Sequence, residues 1–101
     1  MPLPKPTPVS VSELNRKAKS LLENHLGEVC VEAEISDLSK PDSGHWYFSL
    51  KDGRSQLRCA MFRRANLSVK FQPKVGDSVI VRGLLSIYEA RGDYQLIVDH
   101  M

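Results

Sequence analysis

A run of aromatic and basic side chains near the middle of the chain has the composition of a nucleic-acid-binding surface. In the segment GHWYFSLKDGRSQLRCAMFRR, residues 44–64, strand alternation places Tyr47, Arg58 and Phe62 on one face of a predicted sheet. Aromatic rings stack with unpaired bases, while guanidinium and ammonium groups neutralise phosphates. These residue types predict binding of a single-stranded nucleic acid.

Further candidate nucleic-acid-binding residues lie in and after the same segment and near the C-terminus. Lys51 ends the first strand of the segment, the pair Arg63 and Arg64 follows the second, and another group surrounds a turn near the C-terminus. The complete set of predicted nucleic-acid-binding residues is Tyr47, Lys51, Arg58, Phe62, Arg63, Arg64, Tyr88, Arg91 and Tyr94. Two alternatives stay open: Tyr88 and Tyr94 could pair across their hairpin, and the arginine pair could belong to a solvated loop.

Residues arranged for hydrolysis are not apparent in the sequence. The three histidines, His25, His45 and His100, lack the spacing of a metal site, and no glycine-rich phosphate-binding motif occurs. Glu32 and Glu34 share one face of a strand, where we expect them to be solvated. We therefore predict no catalytic residue, no metal site and no cofactor in this chain.

The distribution of charge says more than its sum. The net charge is only +2, yet residues 53–76 contain six of the fourteen cations and no acidic residue. This segment could be a basic patch that contacts phosphates. It could equally be a solvated face balanced by the acidic residues Glu28, Glu32 and Glu34, and charge alone does not separate the two interpretations.

A β-hairpin must position the central residues. Asp52-Gly53 between alternating segments is typical of a two-residue turn, which requires positive φ. With Lys51 and Arg54 beside that turn, Tyr47 would lie opposite Arg58. The apolar face of the hairpin would then consist of Trp46, Phe48, Leu50, Leu57, Cys59 and Met61.

An N-terminal helix is predicted before the strands. Residues 1–9 contain four prolines and are expected to be a disordered lead-in. Ser10 followed by Glu13 fits a capping box, the helix begins near Ser12, and Gly27 ends it. Its apolar stripe, expected to close one end of the core, consists of Val11, Leu14, Ala18, Leu21, Leu22 and Leu26.

Five strands follow, and together they predict the fold. The first covers residues 29–35 and is followed by a loop over 37–43; after the hairpin, a helical turn or irregular crossover occupies 63–71. Strands over 78–88 and 94–99 complete the set, with Gly83 marking a bulge or bend. This order predicts a mainly β fold, a five-stranded OB-fold barrel preceded by one α-helix, within residues 10–101. An SH3-like barrel is the alternative.

Cysteine use and hydropathy predict the cellular setting. Cys30 and Cys59 fall inside predicted strands, so we expect both to be buried, reduced thiols. We find no signal peptide and no apolar run long enough for a membrane span, which predicts a cytoplasmic protein without a membrane partner.

Several motifs in fixed order resemble one known family. VSELN, GEVCVEAEISDLSKPDSGHWYFSLKD, RCAMFRR, GDSVIVRG and YEARGDYQLIV, within residues 9–101, closely resemble the N-terminal domain of the bacterial exodeoxyribonuclease VII large subunit. The sequence departs from that family at Leu38, where we expect an aromatic residue, and at Ala90, where a proline is common. The first departure weakens stacking from the first loop, and the second makes the last hairpin tip more flexible.

The resemblance implies a function for a longer parent protein. Such an enzyme degrades single-stranded DNA from both ends into oligonucleotides, and its large subunit joins several copies of a small helical subunit. The OB domain would hold the DNA, and hydrolysis would belong to a downstream region that this chain lacks. Many members need no added divalent metal. Two alternatives remain, an RNA-binding OB module of the tRNA-binding type and a barrel that only docks other subunits.

Overall fold

A computed structural model describes residues 7–101. Its elements, in chain order, are α1 Val11–His25, β1 Glu28–Ser39, β2 Trp46–Lys51, β3 Gln56–Met61, α2 Arg63–Asn66, β4 Ser78–Tyr88 and β5 Asp93–His100. The strands form a closed barrel in the order β1-β2-β3-β5-β4, antiparallel except where β3 runs parallel to β5. This architecture confirms the predicted fold class, a mainly β OB-fold barrel preceded by one helix.

The interior of the barrel is filled by side chains from all five strands. The largest fully buried ones are Phe48, Ile35, Leu50, Met61, Leu96, Val81 and Val98. In β1, β4 and β5 the buried residues largely alternate with more exposed ones, as the period of two requires. In β2 and β3 the intervening Ser49 and Ala60 are buried as well. Trp46 is partly buried and packs against this core.

The hairpin of β2 and β3 has a different register from the predicted one. Tyr47 lies opposite Ala60, and Arg58 lies opposite Ser49, a shift of two residues. The connection is a four-residue turn in which the Asp52 carboxylate accepts hydrogen bonds from the backbone N–H groups of Arg54 and Ser55. Gly53 is not among the glycines with positive φ, so the two-residue turn does not form. A shift of two leaves every side chain on its predicted face.

The first strand is longer than predicted. β1 continues through Ser39, where we expected a loop from residue 37, and it passes from β4 to β2 by means of a bulge between Ile35 and Asp37. The bulge turns the strand so that its second half can pair with β2. Asp37 is thereby carried to a position opposite Ser49 on the hairpin.

Gly83 occupies the predicted irregularity in β4. A Cβ atom at this position would lie 2.1 Å from the carbonyl oxygen of Ile97, which is too close for any side chain. The register between β4 and β5 shifts between Arg82 and Gly83. Glycine is therefore required here by the close approach of the β5 backbone, as expected for a bend in a small barrel.

The helix α1 begins as predicted but packs differently. The Ser10 hydroxyl oxygen accepts a hydrogen bond from the backbone N–H of Glu13 over 3.1 Å, as expected of an N-cap. The helix lies along β4, where Leu22 reaches the core. None of its residues is fully buried, and Leu14 and Leu21 are at least half exposed. The prediction that the whole stripe closes the core was wrong, because α1 lies on the outside of an already closed barrel.

The remaining predictions concern the N-terminus, the thiols and the membrane. Residues 1–6 of the predicted lead-in lie outside the described residues, and residues 7–9 are exposed and belong to no helix or strand.

Cys59 is buried as expected, but Cys30 is exposed, since its side chain points outward from β1. Over residues 7–101 no helix is long and apolar enough to span a membrane. The same residues contain no group of three metal-ligating side chains.

Candidate nucleic-acid interface

Three predicted aromatic residues line one cleft on the outside of the barrel. The cleft has a volume of about 280 Å³, and its lining consists of Tyr47, Ala60, Phe62, Tyr88 and Gln95. The three rings remain 38–51% exposed, which leaves their surfaces available for stacking. The structure thus brings together three aromatic residues that are up to 41 positions apart in the sequence.

The strand registers explain why four of these five residues meet, and Phe62 joins them because it directly follows β3. Tyr47 on β2 lies opposite Ala60 on β3, and Ala60 lies beside Ile97 on β5. Gln95 is two residues before Ile97, so it shares the outward face. On β4, Ser86 is the partner of Gln95, and Tyr88 follows two residues later on that face. The cleft therefore crosses four neighbouring strands.

The ring of Phe62 is held from the side by the β1–β2 loop. The His45 ring contacts Phe62 edge to face, with 5.3 Å between the ring centroids and an angle of 82°. The Nδ1 atom of His45 accepts a hydrogen bond of 3.0 Å from the backbone N–H of Arg63. A backbone N–H can only donate, so Nδ1 of His45 carries no proton in this arrangement.

Arg58 and Lys51 are partly neutralised by acidic side chains of β1. The Arg58 guanidinium lies 3.7 Å from the Asp37 carboxylate and donates to the Ser49 hydroxyl. The ammonium of Lys51 lies 3.5 Å from the Glu34 carboxylate. Both pairs are solvent-exposed, and exposed ion pairs are worth about 0–1 kcal/mol. These cations can consequently exchange a carboxylate for a phosphate at small cost.

The three remaining arginines differ in their surroundings. Arg63 packs its side chain against Gly44 in the β1–β2 loop, which has a φ of +88°. Among the described residues, neither Arg63 nor Arg64 takes part in a salt bridge, whereas Arg91 lies 4.0 Å from Asp93. Arg63 and Arg64 directly follow Phe62 in the chain and place two exposed positive charges beside the cleft.

Tyr94 does not join the other three aromatic residues. It is the register partner of Ile87 rather than Tyr88, so the two tyrosines do not lie directly opposite one another. Tyr94 lines a separate cleft at the end of the barrel near the β2–β3 turn, together with Lys51 and Leu57. Its position follows from the alternation of β5, where Tyr94 shares the face of Leu96 and Val98.

A second, larger cleft continues from the aromatic one toward α1. It has a volume of about 410 Å³ and shares Phe62, Tyr88 and Gln95 with its neighbour. Its far wall is charged: Glu23 of α1 accepts a hydrogen bond from the Ser86 hydroxyl, and Lys19 forms a salt bridge of 3.5 Å with Glu89. The two clefts form a continuous groove that is uncharged at one end and contains two carboxylates at the other.

Sequence reasoning missed Gln95 and Ala60, and it did not predict that His45 contacts the Phe62 ring. Gln95 alternates with the core residue Leu96, and that signal would have placed it on the outer face of the last strand. The pairing of β3 with β5 brings Gln95 close to Phe62, and no local sequence pattern predicts that pairing. Lys40 also lies 4.7 Å above the Trp46 ring, a contact between the first loop and the barrel that spacing alone does not predict.

A closed five-stranded barrel with this outer aromatic cleft defines the class of protein as an OB-fold domain with a surface suited to unpaired bases. Residues 9–101 match the family described as "OB-fold nucleic acid binding domain", and the chain belongs to that family.

Curated relatives are similar to this chain over nearly its full length. The exodeoxyribonuclease 7 large subunit of Edwardsiella ictaluri is 53% identical over 96 residues, which are 95% of this chain and 21% of that protein. The protein of the same name from Shewanella loihica is 52% identical over 101 residues, which are 100% of this chain and 23% of that protein. The chain therefore spans about a fifth of the length of these relatives.

Solved structures with the same fold have little sequence in common with this chain. A replication protein A heterotrimer bound to single-stranded DNA matches with a TM-score of 0.61 and 19% identity, covering 74% of this chain and 55% of that one. An SSB domain from Synechococcus matches with a TM-score of 0.56 and 14% identity, covering 74% of this chain and 92% of that one. These similarities establish the fold.

Proposed function

We propose that this domain binds single-stranded DNA for an exodeoxyribonuclease VII large subunit, and holds the strand while the rest of that enzyme hydrolyses it from both ends. The observation that carries the proposal is the outer cleft in which Tyr47, Phe62 and Tyr88 converge with their rings exposed. Unpaired bases stack on such rings with about 1–3 kcal/mol per base.

Positive charges beside the cleft supply the second element of binding. Arg63 and Arg64 would contact phosphates next to Phe62. Arg58, Lys51 and Tyr94 would contact a strand that leaves the cleft along the hairpin toward the β2–β3 turn, and Arg91 would contact one that passes the β4–β5 turn. Each phosphate contact adds affinity that falls as salt rises.

The relatives' names support a nuclease setting for the domain. In that setting the parent chain would contact the small subunits of exonuclease VII through regions beyond this chain, and it would act in the cytoplasm on DNA. Residues 10–101 would form the nucleic-acid-binding domain, residues 1–9 a lead-in, and hydrolysis would take place elsewhere in the parent protein. No catalytic residue, metal or cofactor is assigned to this chain.

Two other functions compete with this one. An RNA-binding OB module would prefer RNA to DNA of the same sequence, because only RNA offers the 2′-hydroxyl. A barrel that only docks other subunits would bind neither, and changes in the cleft would have no effect on nucleic-acid affinity. The exposed rings beside Arg63 and Arg64, which form no salt bridge within residues 7–101, favour the nucleic-acid-binding functions over docking.

The test is a fluorescence-anisotropy titration of the chain with a labelled single-stranded DNA of about 20 nucleotides, longer than the site of one OB fold. Matched duplex DNA and RNA are titrated in parallel at low and moderate salt. We expect salt-sensitive binding that prefers the single DNA strand. The variant Tyr47→Ala/Phe62→Ala should weaken it about 30-fold or more, as the loss of two stacked bases requires.

Phe71→Ala is the matched control, because Phe71 is an equally exposed ring that does not line the cleft. The affinity of this variant for the single DNA strand should stay within about 2-fold of that of the unmodified chain, since no stacking contact is removed. Tighter binding of RNA would favour the RNA module. Absence of binding at low salt, with the fold intact by circular dichroism, would rule out unaided DNA binding and favour docking.

A further inference from the structure

We propose that the aromatic cleft takes up a nucleobase and leaves its phosphate outside, and that the Gln95 amide hydrogen-bonds the edge of that base whichever of the four bases it is. This inference rests on the proposed function and specifies how the strand is held. It assigns a binding role to Gln95 and Ala60, neither of which carries a charge or a ring.

The cleft is large enough to admit a base. Its volume of about 280 Å³ corresponds to the liquid volume of about nine water molecules, at about 30 Å³ each. The floor is formed by Ala60, which is 2% exposed and has only a methyl group. Tyr47 stands beside this floor as the register partner of Ala60, and Phe62 and Tyr88 form the walls.

The charge of the lining selects the base over the phosphate. None of the five lining residues is an acidic or basic residue: they are two tyrosines, a phenylalanine, an alanine and a glutamine. The adjoining cleft is lined by two carboxylates, Glu23 and Glu89, and by one ammonium, Lys19, which pairs with Glu89. The excess negative charge there disfavours a phosphate. The neighbouring cations, Arg63 and Arg64, follow Phe62 on the outer side. A strand therefore gains most when its base enters the cleft and its backbone stays near the arginines.

The Gln95 side chain is available to such a base. Among the hydrogen bonds of residues 7–101, none involves its amide group, although the Asn66 amide nearby makes two. A glutamine amide offers both donor and acceptor atoms and can turn about its last bond to exchange them. Every base has a donor or an acceptor on its exposed edge, so this group bonds a base without distinguishing its identity. Such a contact suits a protein that must hold DNA of any sequence.

The rigid surroundings of the cleft favour binding to a preformed site. His45 contacts the Phe62 ring edge to face, and the backbone N–H of Arg63 fixes His45. Tyr47 and Ala60 lie within the antiparallel ladder of β2 and β3. A base entering the cleft thus meets rings that are already in place, which lowers the entropic cost of binding.

The experiment compares two labelled strands of about 20 residues, an oligothymidylate and the same sugar–phosphate chain without bases. The full 101-residue chain is titrated with both by anisotropy. We expect the strand with bases to bind at least about 10-fold more tightly, as loss of stacking requires. Gln95→Leu should weaken binding of the oligothymidylate by about 3- to 10-fold, the effect of one lost hydrogen bond, and leave the abasic strand unchanged. Ala60→Leu, which fills the cleft, should act in the same way and more strongly.

Gln72→Leu is the control, since it removes an exposed amide outside the cleft and should not change either affinity. Gln95→Leu tests the proposal even if Ala60→Leu does not fold, because Gln95 is on the surface of β5. Placing adenine or cytosine throughout the strand should alter the affinity by no more than about 3-fold, less than one good base-reading contact provides.

The outcomes separate this inference from the function on which it rests. If the unmodified chain binds neither strand, the proposed function fails and this inference fails with it. If the chain binds both strands equally, DNA binding stands as a phosphate-only interaction and the base cleft is overturned. If bases matter but Gln95→Leu weakens both strands alike or neither, the role of Gln95 is overturned.

Discussion

The side-chain Nδ2 of Asn66 donates a hydrogen bond of 2.8 Å to the carbonyl oxygen of Gly44, 22 residues earlier in the chain. The same atom donates to the carbonyl oxygen of Met61 over 3.3 Å. The short helix α2 is thereby tied both to the β1–β2 loop and to the end of β3. These contacts surround Phe62, so one buried amide holds an aromatic wall of the cleft in place.

Asn66→Ala should destabilise the domain by about 1–3 kcal/mol, because it removes both hydrogen bonds and leaves two backbone carbonyls without their donor. Chemical denaturation followed by circular dichroism measures the change in the free energy of unfolding. Asn24→Ala is the control, since within residues 7–101 the Asn24 amide donates only to Ser20, on the exposed side of α1. A loss no larger than that of the control would show that the Asn66 bonds add nothing.

Gly83→Ala should be the most destabilising glycine substitution in the barrel. The new Cβ atom would lie 2.1 Å from the Ile97 carbonyl oxygen, so β4 and β5 must separate, at a cost of about 2 kcal/mol or more. Gly53→Ala is the matched control, because nothing lies within 4 Å of its Cβ position and its φ is not positive. Equal unfolding midpoints for the two variants would contradict the close approach.

The two thiols should differ in reactivity. Burial raises the pKa of Cys59 to about 12, only partly offset by the charge of Arg58, whereas Cys30 is exposed. At pH 8 a maleimide should label Cys30 rapidly and Cys59 only after unfolding, because the thiolate is the nucleophile. Peptide mapping of the labelled chain gives the two rates. Comparable rates in the native state would contradict the burial of Cys59.

The raised pKa of Cys59 also predicts how stability depends on alkaline pH. The folded chain keeps the proton that the unfolded chain loses above the ordinary pKa of 9.0. The contribution of the protonated thiol is therefore complete below pH 9.0 and falls as the pH rises toward about 12. Denaturation midpoints of the unmodified chain and of Cys59→Ala, compared between pH 8 and 10.5, should converge as the pH rises.

The Asp52 carboxylate should have a pKa below that of an ordinary aspartate. Hydrogen bonds from the backbone N–H groups of Arg54 and then Ser55 favour its charged form. A depressed pKa contributes stability above the unfolded-state value, and this contribution is lost as the pH falls through the folded-state value. Carboxyl-carbon NMR titration of the native chain and of the chain in urea measures the two pKa values. A native value equal to or above the unfolded one would contradict this turn geometry.

Asp37→Asn should increase affinity for single-stranded DNA. The change removes the carboxylate that lies 3.7 Å from the Arg58 guanidinium, so the cation is available to a phosphate. We expect a gain of about 2- to 5-fold at low salt that shrinks as salt rises, because the interaction is exposed and screened. Glu13→Gln, on the exposed face of α1, provides the charge-matched control. Equal gains in both variants would indicate a general charge effect instead of release of Arg58.

Alternation in the sequence by itself determined which face each strand residue occupies. Tyr47, Arg58 and Phe62 point outward and Phe48 points inward as predicted, even though the hairpin register was wrong by two residues. The error was harmless because side chains repeat with a period of two. The sequence likewise predicted the cap at Ser10, the bend at Gly83 and the helical turn after Phe62, since each depends on residues that are neighbours in the chain.

Only the tertiary structure decided which outward residues share a site. The parallel pairing of β3 with β5 brings Gln95 into the same cleft as Ala60 and Phe62. The bulge in β1 places Asp37 opposite Ser49, where its carboxylate reaches Arg58. Tyr94 was separated from Tyr88 by the register of the last hairpin. The exposure of Cys30 and of Leu14 also depended on which surfaces other elements cover. Local sequence determines periodicity and turns, whereas closure of the barrel determines which residues of distant segments come into contact.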